Sequence, residues 1–239
     1  MSRVKVGPVR RPHRESVPRR TTSPRKSDVT RERILEAARR VFANYQYSAA
    51  SVRMVAKEGN FPHGIIRYYF PSKAELFRTV LKGICEDIAR RNASWLEEVR
   101  SMSPAEGLNR YLELFLVYNK GNPEALRVLV QNMALTANPE ATPGYEHLTW
   151  LLVNTRRTFE EKISLEASTD RVRRFLDSLN GLLLYYLGAS PCQAGILGLQ
   201  PDGSAYRAWV RETLFAVFLP ALENLADFGD PRNVPRSRD

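Results

Sequence analysis

A short run of residues, 63–70, holds side chains that can form hydrogen bonds with phosphate oxygens and with the edges of nucleic-acid bases. The run reads HGIIRYYF. His63 and Arg67 carry N–H donors, and Tyr68 and Tyr69 carry hydroxyl groups. Because these groups are the ones that contact phosphates and base edges in nucleic-acid grooves, the run indicates binding of a nucleic acid.

The sequence offers no comparable set of residues for catalysis or metal binding. Its three histidines are His13, His63 and His147, and its two cysteines, Cys85 and Cys192, are far apart. It contains no phosphate-binding glycine loop and no HExxH or GxSxG motif. We therefore expect no enzyme activity, no catalytic residues, no cofactor and no metal site. Two separated cysteines also indicate a reducing compartment.

The net charge of +10 is unevenly distributed along the 239 residues. The first 80 residues carry +12, whereas the remaining 159 residues carry −2. This asymmetry is typical of a protein that binds a polyanion at one end and a neutral ligand or partner at the other. A basic surface that only improves solubility is the alternative interpretation.

Both ends of the chain have the composition of disordered tails. Residues 1–27 combine four prolines with Arg, Ser and Thr and contain few large apolar side chains. The arginines of this segment could enter a DNA minor groove, or the segment could be a passive solvated tail. Residues 229–239 are expected to be a second disordered tail.

The pattern between residues 28 and 72 predicts three short helices. Apolar residues at three- and four-residue spacing mark the first helix. Ser51 can cap the second helix, and Gly59-Asn60 can form the tight turn that ends it. Pro62 suits the first turn of the third helix, and Pro71 ends that helix. Two short helices around a glycine-containing turn in a basic segment predict a helix-turn-helix domain over residues 28–72.

Residues 30–81 resemble the DNA-binding domain of the TetR (tetracycline repressor) family. The most specific part is the run from Gly64 to Phe70 followed by PSK at 71–73. The resemblance implies an all-helical homodimer whose first three helices bind DNA while the remainder holds a ligand. The sequence departs from the family at Gly59-Asn60, where Ala-Gly is usual. It also departs at Pro62 and Ile65, where the family frequently has a Ser/Thr pair, and at Arg67, where the family commonly has Tyr.

Carried over residue by residue, the resemblance implies distinct roles in DNA binding. Ser51 and Arg53 would contact phosphates, and Tyr69 and Lys73 would hold the DNA backbone. The residues that would begin or line the recognition helix in the major groove are Pro62, His63, Gly64, Ile65, Arg67 and Tyr68. Packing of Tyr68 and Tyr69 in the core is the alternative, and Phe70 is expected to be a core residue.

Residues 73–228 are expected to form a helical ligand-binding and dimerisation domain. SKAE at 72–75 and SPAE at 103–106 are helix start signals. Another helix is predicted from about residue 145 to residue 165, and a mobile loop is expected over 189–203. The predicted fold is all-α. No segment has the length and apolarity of a membrane span or a secretory signal, so we expect a cytoplasmic protein without membrane contact.

Two late helices are apolar over a wide face, which indicates that a second subunit covers them. The resemblance likewise implies that the last two long helices form the dimer interface. Burial within one subunit is the alternative. The expected interface residues are Phe175, Leu179, Leu182, Leu183, Tyr186, Val210, Leu214, Val217 and Phe218.

A ligand pocket is implied among the fourth to eighth helices. The expected lining residues are Tyr111, Phe115, Tyr118, Met133, Trp150, Asn154 and Tyr185. Aromatic residues at helical spacing are also common in plain cores, which is the alternative for each of them. The low charge density of this region favours an apolar or weakly polar small molecule.

Together these patterns predict a homodimeric transcriptional regulator of duplex DNA. The expected mechanism is a repressor that a small-molecule effector releases from a palindromic operator. The alternative is a DNA-binding or architectural protein that acts without a ligand.

Overall fold

The computed structural model describes residues 26–133, 138–163 and 168–227, and the regular elements within these ranges are helices. The first five are α1 (Lys26–Asn44), α2 (Val52–Gly59), α3 (His63–Tyr69), α4 (Lys73–Val99) and α5 (Pro104–Gly121). The others are α6 (Pro123–Met133), α7 (Tyr145–Lys162), α8 (Thr169–Leu183), α9 (Ser190–Ile196) and α10 (Ser204–Asp227). A 3₁₀ turn spans Pro139–Ala141, and a π-helical turn, Leu184–Gly188, extends α8. The all-α prediction is confirmed.

Three helices begin where the sequence signals predict. The Ser51 Oγ accepts a hydrogen bond from the Met54 amide at 3.3 Å, and the Ser72 Oγ accepts one from the Glu75 amide at 3.1 Å. At α5 the bonds are reciprocal, because the Ser103 amide also donates to the Glu106 carboxylate at 3.3 Å. Each cap satisfies a backbone N–H that has no partner within its helix.

The turn between α2 and α3 has the predicted geometry. Asn60 adopts the left-handed conformation, with φ of 52° and ψ of 50°. A Cβ atom on Gly59 would lie 2.1 Å from the Phe61 ring, so a side chain there would displace Phe61. These two residues allow α2 to end and α3 to begin within three residues, with Pro62 preceding the first turn of α3.

The helix-turn-helix shares its core with α4. Phe42 of α1 is fully buried against Phe77 of α4, with ring centroids 4.7 Å apart in a T-shaped arrangement. The Tyr47 ring lies 4.9 Å from the same Phe77 ring. Ile66 and Phe70 bury the inner face of α3 in this core. The first three helices are therefore packed onto the start of α4.

The loop between α1 and α2 is held by three hydrogen bonds from the helical domain. The Tyr47 amide donates to the Asn132 Oδ1 of α6 at 2.8 Å. The Lys73 Nζ of α4 donates to the carbonyl oxygens of Tyr47 at 2.8 Å and Ala50 at 3.0 Å. We call these four residues the loop clasp. The clasp fixes the helix-turn-helix to two different helices of the larger domain.

Helix α4 extends from the helix-turn-helix into the helical domain, and α7 lies along it. Arg78 forms an ion pair with Glu146 near the start of both helices, at 3.4 Å. Lys162 forms one with Glu97 near their ends, at 2.6 Å. The two helices therefore run parallel. Helix α10 packs against α5 and α8, and α6 packs against α1.

Several predicted boundaries change. The first helix begins at Lys26, whereas residue 28 was predicted, and the α7 helix ends at Lys162. The segment 189–203, expected as a loop, contains α9, and Pro191 stands in its first turn, where a missing N–H is tolerated. The tails 1–25 and 228–239 lie outside the described residues. No helix within the described ranges is long and apolar enough to cross a membrane.

The π-helical turn lies closely against α6. A Cβ atom on Gly188 would be 2.4 Å from the Val130 Cγ2 and 3.0 Å from the Leu126 carbonyl oxygen. Real side chains do not approach so closely, so this contact requires glycine. The end of α8 is thereby joined to the helix that carries Asn132.

Gly188→Ala should destabilise the protein by about 1–3 kcal/mol, because the added methyl group overpacks the contact with α6. Gly83→Ala is the matched control, since a Cβ there meets nothing within 4 Å. This control should be neutral or stabilising by up to about 1 kcal/mol, because alanine favours the helix. Urea unfolding followed by circular dichroism measures both variants. Equal stabilities for the two variants would contradict the close contact.

Candidate functional site

The outer face of α3 is open to solvent. The Tyr68 side chain is 82% exposed, and Pro62, Gly64 and Arg67 are exposed as well. Because Ile66 and Phe70 occupy the opposite, buried face, the helix presents a defined outward surface.

The half-buried residues flank this surface. They are His63, Ile65 and Tyr69. The Tyr69 ring lies 5.1 Å from the Tyr68 ring in a T-shaped contact. The structure therefore brings the residues expected in the major groove onto one side of a short helix, and it places Phe70 in the core as expected.

Unpaired positive charge lies beside this surface. Arg53 and Lys57 of α2 and Arg67 of α3 are exposed, and none of the three forms an ion pair within the described residues. Most arginines of the helical domain have carboxylate partners, as Arg110 has in Glu98 at 2.7 Å. Since the cations on α2 and α3 are not neutralised locally, this end of the molecule has a positive potential.

Other arginines of the helix-turn-helix have partners within it. Arg40 forms an ion pair with Glu58 at 2.7 Å. The Arg31 guanidinium lies 5.1 Å from the centroid of the Phe70 ring. These contacts hold α1 against α2 and against the C-terminal end of α3.

Lys73 was expected to hold the DNA backbone, but its ammonium group has partners within the protein. Its ammonium group bonds to the two carbonyl oxygens of the loop clasp and lies 4.4 Å from the Tyr47 ring centroid. Two of its three N–H donors are therefore occupied. In this structure Lys73 stabilises the loop. Ser51, the other residue expected at a phosphate, is half-buried and uses its oxygen as the α2 cap.

A cavity of about 540 Å³ lies in the helical domain, at the end of α4 that is remote from the helix-turn-helix. Its walls come from α4, α5, α7, α8 and α10 and are mainly apolar. From Lys73 to Asn92, the distance along the α4 axis is about 28 Å. The apolar lining residues include Leu96, Met102, Leu108, Phe159, Phe175, Leu176, Leu179 and Leu222.

Asn92, Tyr111 and Thr155 are polar residues among the apolar helix residues that line the cavity, and Ser101 and Ser103 of the loop between α4 and α5 line it as well. Asn92 and Tyr111 face each other, and the Tyr111 hydroxyl donates to the Asn92 Oδ1 at 2.9 Å. Burial raises the pKa of Tyr111 well above its usual value, so this hydroxyl keeps its proton. Thr155 of α7 lines the same cavity.

At the mouth of the cavity Glu97 forms ion pairs with two cations. Lys162 donates at 2.6 Å, and Arg100 lies 3.0 Å away. The hydrogen bond from Lys162 lowers the pKa of the Glu97 carboxyl, which is therefore ionised at neutral pH. Only Lys162 and Arg100 of this group line the cavity.

Of the six expected ligand residues whose side chains the structure describes, only Tyr111 lines this cavity. Phe115 and Tyr118 lie behind its wall in an aromatic cluster, with ring centroids 5.5 and 5.8 Å from that of Trp95. Trp150 lies on the surface near the start of α7, in a separate shallow depression. Asn154 accepts a bond from Arg157, and Tyr185 accepts one from Gln193. The Met133 side chain lies outside the described residues.

The sequence interpretation missed Asn92 and Thr155. One signal was present for Asn92, because it is a polar residue within the apolar stripe of α4, four residues after Ile88 and three before Trp95. A polar residue at such a position is buried and must find a partner. No comparable signal marks Thr155 on the more polar α7.

The expected dimer residues lie mostly inside one subunit. Leu183, Val210 and Leu214 are almost completely buried there, and Phe218 packs against Phe175 with ring centroids 5.6 Å apart. Six of the nine expected residues are core residues of the subunit, namely Phe175, Leu179, Leu183, Val210, Leu214 and Phe218.

The other three are more accessible. Leu182 and Tyr186 are half-buried, and the Val217 side chain is 54% exposed. The alternative interpretation, burial within one subunit, thus describes six of the nine. A partner subunit would contact the opposite faces of α8 and α10.

The helix-turn-helix region matches a known family, and most of the chain aligns with solved structures. Residues 34–80 match the family described as bacterial regulatory proteins, tetR family. The match covers α3 and the outward surface described above.

One curated relative is the uncharacterized HTH-type transcriptional regulator YhgD of Bacillus subtilis, which is 27% identical over 99 residues. The aligned part spans 41% of this chain and 51% of YhgD, about half the length of that relative.

Solved structures of TetR-family regulators have the same fold over most of the chain. A regulator from Mesorhizobium loti aligns with a TM-score of 0.58 and 16% identity, covering 86% of this chain and 98% of its own. The transcriptional regulator FadR from Bacillus subtilis, solved in complex with stearoyl-CoA, aligns with a TM-score of 0.53 and 17% identity. This alignment covers 82% of this chain and 97% of FadR.

Lys73→Met should lower the free energy of unfolding by about 1–3 kcal/mol, because two carbonyl oxygens of the loop lose their donor. Methionine retains most of the apolar stem, so packing is preserved. The matched control is Lys57→Met, at an exposed position without a partner among the described residues, which should change stability by less than about 0.5 kcal/mol. Urea unfolding followed by circular dichroism compares them. If Lys73→Met were as stable as this control, the clasp would not stabilise the loop.

Proposed function

We propose that this protein is a dimeric transcriptional repressor of the TetR family, and that it reads a palindromic duplex operator with α3. A small molecule bound in the cavity releases it from DNA. The observation that carries the proposal is the outward face of α3, where donors and an exposed tyrosine stand beside unpaired cations on a rigid helix-turn-helix.

The roles of individual residues follow from their chemistry on this surface. Arg67 is exposed and can donate two parallel hydrogen bonds to a guanine edge. Ile65 can contact a thymine methyl group, while Gly64 allows close approach of the helix backbone. Arg53 and Lys57 of α2 would lie beside the DNA major groove, where they would bind phosphates without selecting a base.

The dimer interface would form on the outer faces of α8 and α10. These faces carry Ser178 and Gly181 on α8, and Ala208, Ala216 and Val217 on α10, all of them exposed. Small side chains allow two helix pairs to approach closely, and Val217 supplies exposed apolar area. A two-fold dimer would present its two α3 helices to successive major grooves of a palindromic site.

The effector would bind in the apolar cavity. FadR, which has the same fold, was crystallised in complex with stearoyl-CoA. The cavity wall includes Phe175, Leu176 and Leu179 of α8, and the π-helical end of α8 touches α6 at Gly188. A ligand that moves α8 would therefore act on the helix that carries Asn132 of the loop clasp.

Selection of random duplex DNA by the full chain should return a palindromic sequence. On this selected duplex, Arg67→Ala should weaken binding by about 1–3 kcal/mol and relax preference at one or two base pairs, because a base-edge contact is lost. Fluorescence anisotropy with the selected and scrambled duplexes measures both effects.

Arg157→Ala is the matched control, because Arg157 is an exposed arginine on α7. It should leave the affinity for both duplexes unchanged. An asymmetric selected site would reject the two-fold dimer. Equal losses by Arg67→Ala on the selected and scrambled duplexes would instead assign Arg67 to phosphate.

A further inference from the structure

The cavity holds a hydrogen-bond donor that the protein itself leaves unused. Asn92 is 3% exposed, and its Nδ2 is buried without a hydrogen-bond partner among the described residues. A buried amide N–H group without an acceptor is costly, and such groups are uncommon in folded proteins. The unused donor lies on a residue that lines the cavity.

The orientation of the Asn92 amide is determined by its neighbour. Its Oδ1 accepts the hydrogen bond from the Tyr111 hydroxyl, and burial keeps that hydroxyl protonated. The oxygen of the amide is therefore occupied, and the nitrogen is the group that remains for another molecule. An acceptor is the complementary chemical group.

The surroundings of Asn92 favour an uncharged acceptor. The wall around it is apolar, with Leu96 and Leu108 lining the same cavity. The two cations of the cavity, Arg100 and Lys162, are at its mouth and share the Glu97 carboxylate. A carboxylate or phosphate next to Asn92 would lose its hydration without gaining an opposite charge, which is unfavourable.

We infer that the effector is a predominantly apolar, uncharged molecule with a carbonyl oxygen, which accepts a hydrogen bond from the Asn92 Nδ2. This inference rests on the proposed function, because it specifies the ligand of the same cavity. The chemical class includes ketones, lactones and esters. A cavity of about 540 Å³ is within the range of small-molecule sites.

Benzophenone and diphenylmethane form a matched pair of probes, because both carry two phenyl rings on one central carbon, which is a carbonyl group in the first and a CH₂ group in the second. Equilibrium dialysis against the full chain gives the dissociation constant of each. The wild-type protein should bind benzophenone about 3- to 10-fold more tightly, which is the net effect of one hydrogen bond. In Asn92→Leu, which keeps the branching and the number of heavy atoms of the side chain and removes the donor, this ratio should fall to one or below, because the carbonyl would be buried without a partner. Asn109→Leu, an asparagine substitution on α5 outside the cavity wall, should keep the wild-type ratio.

Photochemical crosslinking locates the bound probe independently of the variants. Benzophenone reacts with nearby C–H bonds under near-ultraviolet light, so the crosslinked peptides of the wild-type chain should contain cavity residues such as Leu96 or Met102. Crosslinks confined to other parts of the chain would overturn the inference.

The outcomes separate this inference from the proposed function. If both probes bind in the cavity with the same affinity, or if the ratio survives in Asn92→Leu, the carbonyl contact is wrong while the ligand cavity stands. If neither probe binds, the inference fails and the ligand-binding part of the proposed function loses its support as well. DNA binding by α3 is tested separately by the duplex selection.

Discussion

The loop clasp is the interaction on which the arrangement of the molecule depends. The helix-turn-helix is small, and residues of α4, Phe77 among them, complete its core. The clasp adds directional bonds to this apolar contact, because Asn132 accepts from the Tyr47 amide and Lys73 donates to the Tyr47 carbonyl. Both polar groups of one peptide segment are thus held by different helices. The orientation of α3 relative to the helical domain follows from this constraint.

The same constraint connects the two ends of the molecule. Asn132 is buried on α6, and α6 meets the π-helical turn of α8 at Gly188. Helix α8 in turn lines the cavity through Phe175 and Leu179. A contiguous chain of packed groups therefore joins the cavity to the loop that precedes α2. Because these contacts are tight, the proposed function has a shift of α8 displace α6.

The local features of the fold could be predicted from the sequence, because their causes lie within a few residues. Ser51 and Ser72 accept capping hydrogen bonds from amides three residues ahead, and Asn60 supplies the left-handed turn. Helix α9 was missed because Gly195 and Pro191 are typical of loops, although the proline stands in the first turn.

Long-range roles could not be predicted in this way. The partners of Lys73 are 23 and 26 residues away, and the partner of Tyr47 is 85 residues away. The cavity likewise combines Asn92 with residues of four other helices, so only Tyr111 was identified.

The role of the loop clasp is tested most directly by the affinity of Asn132→Ala for the selected duplex, measured under conditions where circular dichroism shows a folded chain. Asn132 is buried on α6 and cannot contact DNA itself. We therefore expect several-fold weaker binding, through a smaller population of the DNA-competent orientation. The matched variant Asn109→Ala should bind like the wild type. Equal affinities for the two variants would contradict the claim that the clasp sets the position of the reading helix.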